Sequence, residues 1–525
     1  MLRRANRTTP KFRLFIASLL PYFIASFCLV SCSHSSHSDP SALTFLIESS
    51  PTNLDPRFAT DSQSQRIDGL LFSGLLERDN HMNFHGDLAE SWAIPDPLTY
   101  VFHLRRGVRF HDGRALNATD VRATFEFIMN PTNKSPKRGA LRMVSSIETP
   151  DGATVIFHLS QPYASFTVNL IPSAIGIVPA NAGADFSRHP IGSGPFRFVQ
   201  QSQDEEVVVE RNLEYFRDAP QITRVRFRVV PDGVVRALEL RKGSADLEMS
   251  SLSPDIIPVL ARQPDLAVTD RAGTNLNYLG FNLEDPALSH RELRQALALA
   301  TDREALIRYL LHGQAKLAAG VLPPDHWAAE PNVAQYPYDP ARAELLLDAA
   351  GFARKQDGVR LRLTLKCSTE EQARLIGAAL QEQWRRVGIG LELRPLELAT
   401  LFSDVAKGNF QITYQRWVGA NTDPDFFEYA FSSKRFPPDG ANRGHFRNAR
   451  IDALTDQIRV EMNQEKRKAL CSEVQKILAE DLPYLPLWFN DVVSVHRRSL
   501  GSLGSLDLPA TGNYNFLATL HPNGN

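Results

Sequence analysis

A mixed α/β protein of two or three lobes is what this sequence predicts, and three observations predict it. The chain is 525 residues long, more than one hydrophobic core usually organises. Strand-like and helix-like stretches alternate along it without a short internal repeat. Its composition, 43% hydrophobic and 22% charged, is that of an ordinary globular chain. No long basic run and no stripe of basic and aromatic residues occurs, which argues against a nucleic acid as partner.

The first residues read as an address rather than as fold. Arg3, Arg4, Arg7, Lys11 and Arg13 precede an apolar stretch from Leu14 to Val30, which exits through Ser31 to Cys32. A positive start, a short apolar core and a small-residue exit describe a secretory signal over residues 1–31. The ending Leu29-Val30-Ser31-Cys32 resembles a bacterial lipobox, which implies cleavage before Cys32 and lipidation of that cysteine. A plain signal peptide or a single anchor helix is the alternative. Cleavage removes five positive charges and leaves 53 basic against 59 acidic residues. Lipid rather than charge would then hold the protein at a bacterial membrane. Residues 32–40 form a polar Ser/His tether. Cys28 leaves with the signal and Cys32 would be acylated, so Cys367, expected to point into the core, and Cys471, expected to be half buried, remain as two buried thiols in preference to a disulfide.

Elements follow in order. Ala42 to Ile47 is β-prone and ends in Ser49-Ser50-Pro51. Tyr100, Phe102 and Leu104 alternate with more polar neighbours, a half-buried strand closed at Gly107. Asp120 to Ile128 has helical spacing, and Val207, Val209 and Val225–Val230 are further strands. Thr301-Asp302-Arg303-Glu304 has the form of a capping box opening a helix toward Gly313. Helices are predicted over 342–350 and 369–386, stopped at Gly351 and Gly388, and two more between 451 and 480. Leu361, Leu363, Leu365 and Cys367 alternate as a strand, and Leu487-Trp488-Phe489 is a buried-strand candidate.

Several blocks then occur in a telling order. They are Leu54-Asp55-Pro56; Gly74-Leu75-Leu76-Glu77; Asp87 to Trp92; and Leu104-Arg105-Arg106-Gly107-Val108-Arg109-Phe110-His111-Asp112-Gly113. Pro190 to Phe196, Leu279-Gly280-Phe281-Asn282, Tyr338-Asp339-Pro340 and Leu482 to Leu487 continue the series. Together they resemble family 5 of the bacterial extracellular solute-binding proteins, the peptide, dipeptide and nickel binders of ABC importers. The resemblance spans about residues 43 to 490. It implies a two-lobed, type II periplasmic-binding-protein-like hinge fold with an extra inserted sub-domain. The first lobe would comprise 41–77, 190–275 and 485–525, the inserted sub-domain 78–189, and the second lobe 276–484. It also implies a monomer that delivers a small molecule or short peptide to the importer's permease subunits, without a cofactor. The hinge would cross near 275–281 and 484–488.

By the same resemblance an extended peptide lies between the lobes like an added strand. The matching segments are Ser49 and Ser50 after the first strand, and Arg416, Trp417, Gly419, Asn421 and Asp423 in the second lobe. Strand alternation puts Tyr414 and Arg416 on one face and Gln415 and Trp417 on the other. Trp417 is favoured as a cleft wall, with a core tryptophan as the alternative; Arg416 and Tyr414 suit a ligand carboxylate or carbonyl. Asn277 and Tyr278 are secondary candidates near the hinge. One departure stands out: dipeptide-type members carry Trp-x-Gly-Asp-Asn-x-Asp-Pro, whose first Asp pairs with the ligand ammonium. Here Trp417-Val418-Gly419-Ala420-Asn421-Thr422-Asp423-Pro424 puts Ala420 in its place.

Other chemistries find little support. There is no Gly-x-Ser-x-Gly elbow, His-Glu-x-x-His helix or Gly-x-x-x-x-Gly-Lys loop, so an enzyme is not expected. His81 and His85 sit in a polar turn, where solvated imidazoles are favoured over metal ligands. The alternatives kept are a binder of sugar or nickel chelate, and a sensor or holdase with a degraded cleft.

Overall fold

Ten strands of one sheet set the architecture of the computed structural model. It describes residues 42–183, 185–500 and 508–521, with the side chain of residue 420 outside the description. The signal over 1–31, the lipidation site Cys32 and the tether 32–40 therefore lie outside the described residues. The described residues from 43 onward form one compact unit.

The sheet runs through strands Ile389–Leu396, Leu361–Ser368, Ile412–Trp417, Leu266–Phe281 and Tyr484–Arg497. It continues through Leu247–Met249, Ala42–Ile47, Arg224–Val229, Glu206–Arg211 and Phe196–Ser202. An eleventh strand, Ala315–Leu317, pairs at the side of Tyr484–Arg497. The strands Leu266–Phe281 and Tyr484–Arg497 are 16 and 14 residues long and antiparallel, so they belong to both halves of the sheet. Their pairing breaks between Ala272/Asp491 and Leu276/Phe489. A bulge of this kind bends a ladder and frees backbone groups locally. Gly273 sits in it because a Cβ there would run into the Asn490 carbonyl.

Each half has its own apolar core. Leu297, Leu363, Ile376, Trp384 and Ile412 belong to one, and Phe45, Leu70, Val209, Phe227 and Tyr514 to another. A separate four-stranded antiparallel sheet lies within 78–189: Ala89–Asp96, Thr99–Leu104, Thr154–Leu159 and Val144–Glu148. Helix Ala118–Met129 covers it through Phe125, whose ring meets Phe157 edge-on at 5.0 Å. Asn117 and Asp120 form a reciprocal capping box at that helix's start.

Two expectations shift. Thr301 does not open the next helix: Asp302 caps Arg303–Leu310 by accepting from the Ala305 N–H. Thr301 is buried instead, donating to the Leu297 carbonyl and accepting from Trp384 Nε1 at 2.9 Å. A hydroxyl enclosed by two partners cannot also reach a helix terminus. Cys471, expected to be half buried, is fully buried, and Cys367 and Cys471 are both free thiols.

Candidate functional site

The cleft is built around Arg66, on helix Ser62–Leu71. Three cavities of about 610, 650 and 180 Å³ share this residue as a wall. The first two also share Arg78, Ile171 and Ser173, and the last two Thr274, Asn275 and Thr511. They adjoin through these shared walls, and each of the two larger ones has the size that small-molecule sites occupy. Its walls draw on residues from 62–77, 78–189, 250–275, 311–422 and 490–521, and the sheet bulge supplies Gly273, Thr274 and Asn275.

Arg416 lines the smallest of these cavities and is exposed, and its guanidinium makes no hydrogen bond or ion pair with a described residue. Trp417 points the other way, as alternation within strand Ile412–Trp417 requires. It is 8% exposed, stacks on Tyr278 at 6.0 Å and 8°, and meets Phe426 edge-on at 5.1 Å. Arg443 lies over its face at 5.0 Å. Trp417 is thus the core tryptophan, and the preference for it over Arg416 as cleft wall is reversed.

The loop after the strand tightens the bulge. Gly419 adopts φ +73° and lines the largest of these three cavities together with Val418 and Thr422. The Thr422 hydroxyl donates to the Gly419 carbonyl at 2.7 Å, and Arg78 donates to that hydroxyl at 3.0 Å. Asn421 is fully buried, its amide donating to the carbonyls of Thr274 and Val321 at 3.0 and 3.1 Å. Asn421 therefore positions the cleft wall rather than forming it.

Asp423 also turns inward. Its carboxylate accepts from Ser165 Oγ at 2.5 Å and pairs with Arg467 at 3.4 Å, and Arg467 reaches Asp425 at 3.5 Å. Ser165 comes from 78–189, so this buried cluster ties that segment to 276–484. Burial pushes the Asp423 carboxyl up, but Arg467, the Asp425 N–H, the Ser165 hydroxyl and Arg78 hold it below the usual carboxylate range. Burial and the neighbouring Asp423 instead push Asp425 up to about 6.

Ser49 is exposed, and the Ser50 hydroxyl accepts from the Asp204 N–H at 3.3 Å. Neither lines these cavities. The reason is strand order: Leu247–Met249 lies between the first strand and Tyr484–Arg497, so Ser250 reaches the wall in their place. Asn277 and Tyr278 are buried, with Asn277 clasped between Tyr414 and Asn490. His85 meets Asp79 at 3.0 Å and His81 the Asp325 carbonyl at 3.3 Å. Among the described residues no cluster of three or more His, Cys, Asp or Glu is poised for a metal, and no helix is long and apolar enough to cross a membrane.

Sequence reasoning missed Arg66, Asp491 and Arg467. Arg66 carries no motif. Asp491 had a signal, an acid interrupting the apolar run Leu487 to Val495. Arg467 had one too, since it shares a helical face with Cys471, Val474 and Leu478.

Comparison with known proteins identifies the family and the fold. Residues 83–437 match the model of the bacterial extracellular solute-binding proteins, family 5. Di/tripeptide-binding protein 1 of Pseudomonas aeruginosa is 29% identical over 492 residues, covering 88% of this chain and 91% of that protein. The glutathione-binding protein GsiB of Salmonella choleraesuis is 29% identical over 474 residues, with the same coverage. The solved structure of NikZ from Campylobacter jejuni in complex with Ni(L-His) matches with a TM-score of 0.75 at 26% identity. That match covers 91% of this chain and 99% of the other. The fold is the two-lobed α/β fold of such binding proteins, and the chain belongs to the bacterial extracellular solute-binding proteins, family 5.

Proposed function

We propose that this protein is an exported, lipid-anchored binding protein, not an enzyme, that captures a small peptide-like solute for an ABC importer. Arg416 carries the reading: its guanidinium makes no hydrogen bond or ion pair with a described residue and lines a cavity walled from both halves of the sheet. Arginine presents its donors in a fork that matches a carboxylate, and a peptide always ends in one. The di/tripeptide and glutathione binders among the relatives support this class of solute. Cys32 is the proposed anchor, and the protein works as a monomer that hands its cargo to membrane permease subunits.

The proposed lobes are those of the sequence, with one adjustment. Residues 485–489 pair with Leu276–Leu279 and belong with the second lobe, which puts the hinge at the bulge of 273–275 and 490. Closure about such a point encloses solute and excludes water from its polar contacts. Ala420 favours a second reading, a sensor or holdase whose cleft no longer binds peptide.

Isothermal titration of the mature chain with di- and tripeptides, glutathione, Ni(L-His) and maltose separates these readings. Saturable binding of at least one peptide, with maltose silent, is expected. A ligand at 100 times its Kd would also add about 2.7 kcal/mol to the folded state, visible as a raised Tm. Silence toward the whole panel would move the sensor or holdase reading ahead.

A further inference from the structure

The cavity that Arg416 lines has a second pole. Asp491 also lines it, yet its side chain is fully buried and neither carboxylate oxygen receives a hydrogen bond from a described residue. The nearest cation is Lys316 on strand Ala315–Leu317, whose Nζ stands 3.4 Å from one oxygen while the lysine itself is 49% exposed. Charged hydrogen bonds are normally about 2.7–2.9 Å long, so this pairing is loose. Asp270 on the neighbouring strand adds a second negative charge, and Arg66 and Arg416 stand on the cavity wall as cations.

A buried carboxylate without hydrogen bonds is costly, and proteins retain one where something else completes it. Its backbone is fixed: the Asp491 N–H donates to the Gln314 carbonyl at 3.1 Å, beside the bulge that opens the wall. Burial pushes its carboxyl up to about 6 against the pull of Lys316, as expected of an acid short of a close partner.

We propose that Asp491 is the anchor for the ammonium group of the solute, opposite Arg416 as anchor for its carboxylate, so that the cleft selects a zwitterion with a free amine. This deepens the reading of the cleft as a solute site and rests on it. Neutral sugars and amine-blocked peptides are then poor ligands, because either leaves Asp491 buried with only the loose pairing to Lys316.

Trialanine and N-acetyl-trialanine are the probes, titrated calorimetrically into the mature chain at pH 7.5. The unmodified protein should prefer the free amine by about 30-fold or more. Asp491→Asn, which keeps the side-chain shape, should bind the two probes within a few-fold of each other. Lys316→Gln, at a half-exposed position, removes the resident cation and should widen the preference for the free amine. The Tm of each variant verifies its fold. A preference unchanged in both variants, or acetylated peptide bound as well as free peptide, overturns the role of Asp491 while leaving a peptide binder. Failure of the unmodified protein to bind either probe overturns this proposal, and silence toward the whole peptide panel overturns the peptide reading with it.

Discussion

Replacing Arg416 by Gln is expected to weaken solute binding by about 30-fold or more while leaving the fold intact. The stability half follows from exposure: the Arg416 guanidinium is exposed and makes no hydrogen bond or ion pair with a described residue, and substitutions at such positions usually stay within about 0.5 kcal/mol. The affinity half follows from what closure does to a carboxylate. Once enclosed it has lost its water, and truncating its partner typically costs about 2–5 kcal/mol. Arg416→Lys should recover only part of the loss, because an ammonium lacks the paired donors of the guanidinium. Calorimetry with the best peptide of the panel, alongside a melting curve, reads both halves. Unchanged affinity in Arg416→Gln would remove the carboxylate anchor from this account.

Arg467→Leu should instead damage the fold, by about 3–5 kcal/mol at neutral pH. The guanidinium donates to Ser165 at 2.6 Å and to the Ile458 carbonyl at 3.0 Å, and faces both Asp423 and Asp425. Leucine leaves two buried acids facing each other with only Arg78 near Asp423. The sign with pH follows. Asp423 is held low in the folded protein, so its contribution is present above the unfolded value and fades as acid protonates it. In the variant both acids shift upward, and protonation relieves their repulsion. The stability gap should therefore narrow as pH falls from 7 toward 4.5. Urea unfolding at several pH values measures it; a gap that is constant or widens in acid would mean that the cluster acts by packing alone.

Much of the fold was legible because it rests on local rules. The alternation in 361–367, the glycines at 351 and 388 with φ +84°, and the helical spacing of 120–128 each leave a signature within a few residues. Thr301 shows the limit. Whether a hydroxyl caps a helix or accepts from a distant indole depends on Trp384, some eighty positions away.

The site was legible to a smaller degree, for a related reason. The segment 416–423 was found from its resemblance, and alternation correctly set Arg416 against Trp417. Which of those two faces lines the cavity is decided by the aromatic stack of Tyr278, Tyr484 and Phe426, contributed by three other elements. Strand order, equally non-local, took Ser49 and Ser50 away from the cleft and brought Asp491 to it.

The central claim is that the cleft around Arg66 holds a small solute with both a carboxylate and an amine. Native mass spectrometry of the mature chain, purified without ligand exchange, tests it most directly. The account predicts a discrete adduct, released on mild denaturation, whose fragments include amino acids and whose amine reacts with an acylating reagent. A protein that is empty and stays empty in a peptide mixture, or an adduct without an amine, would contradict it.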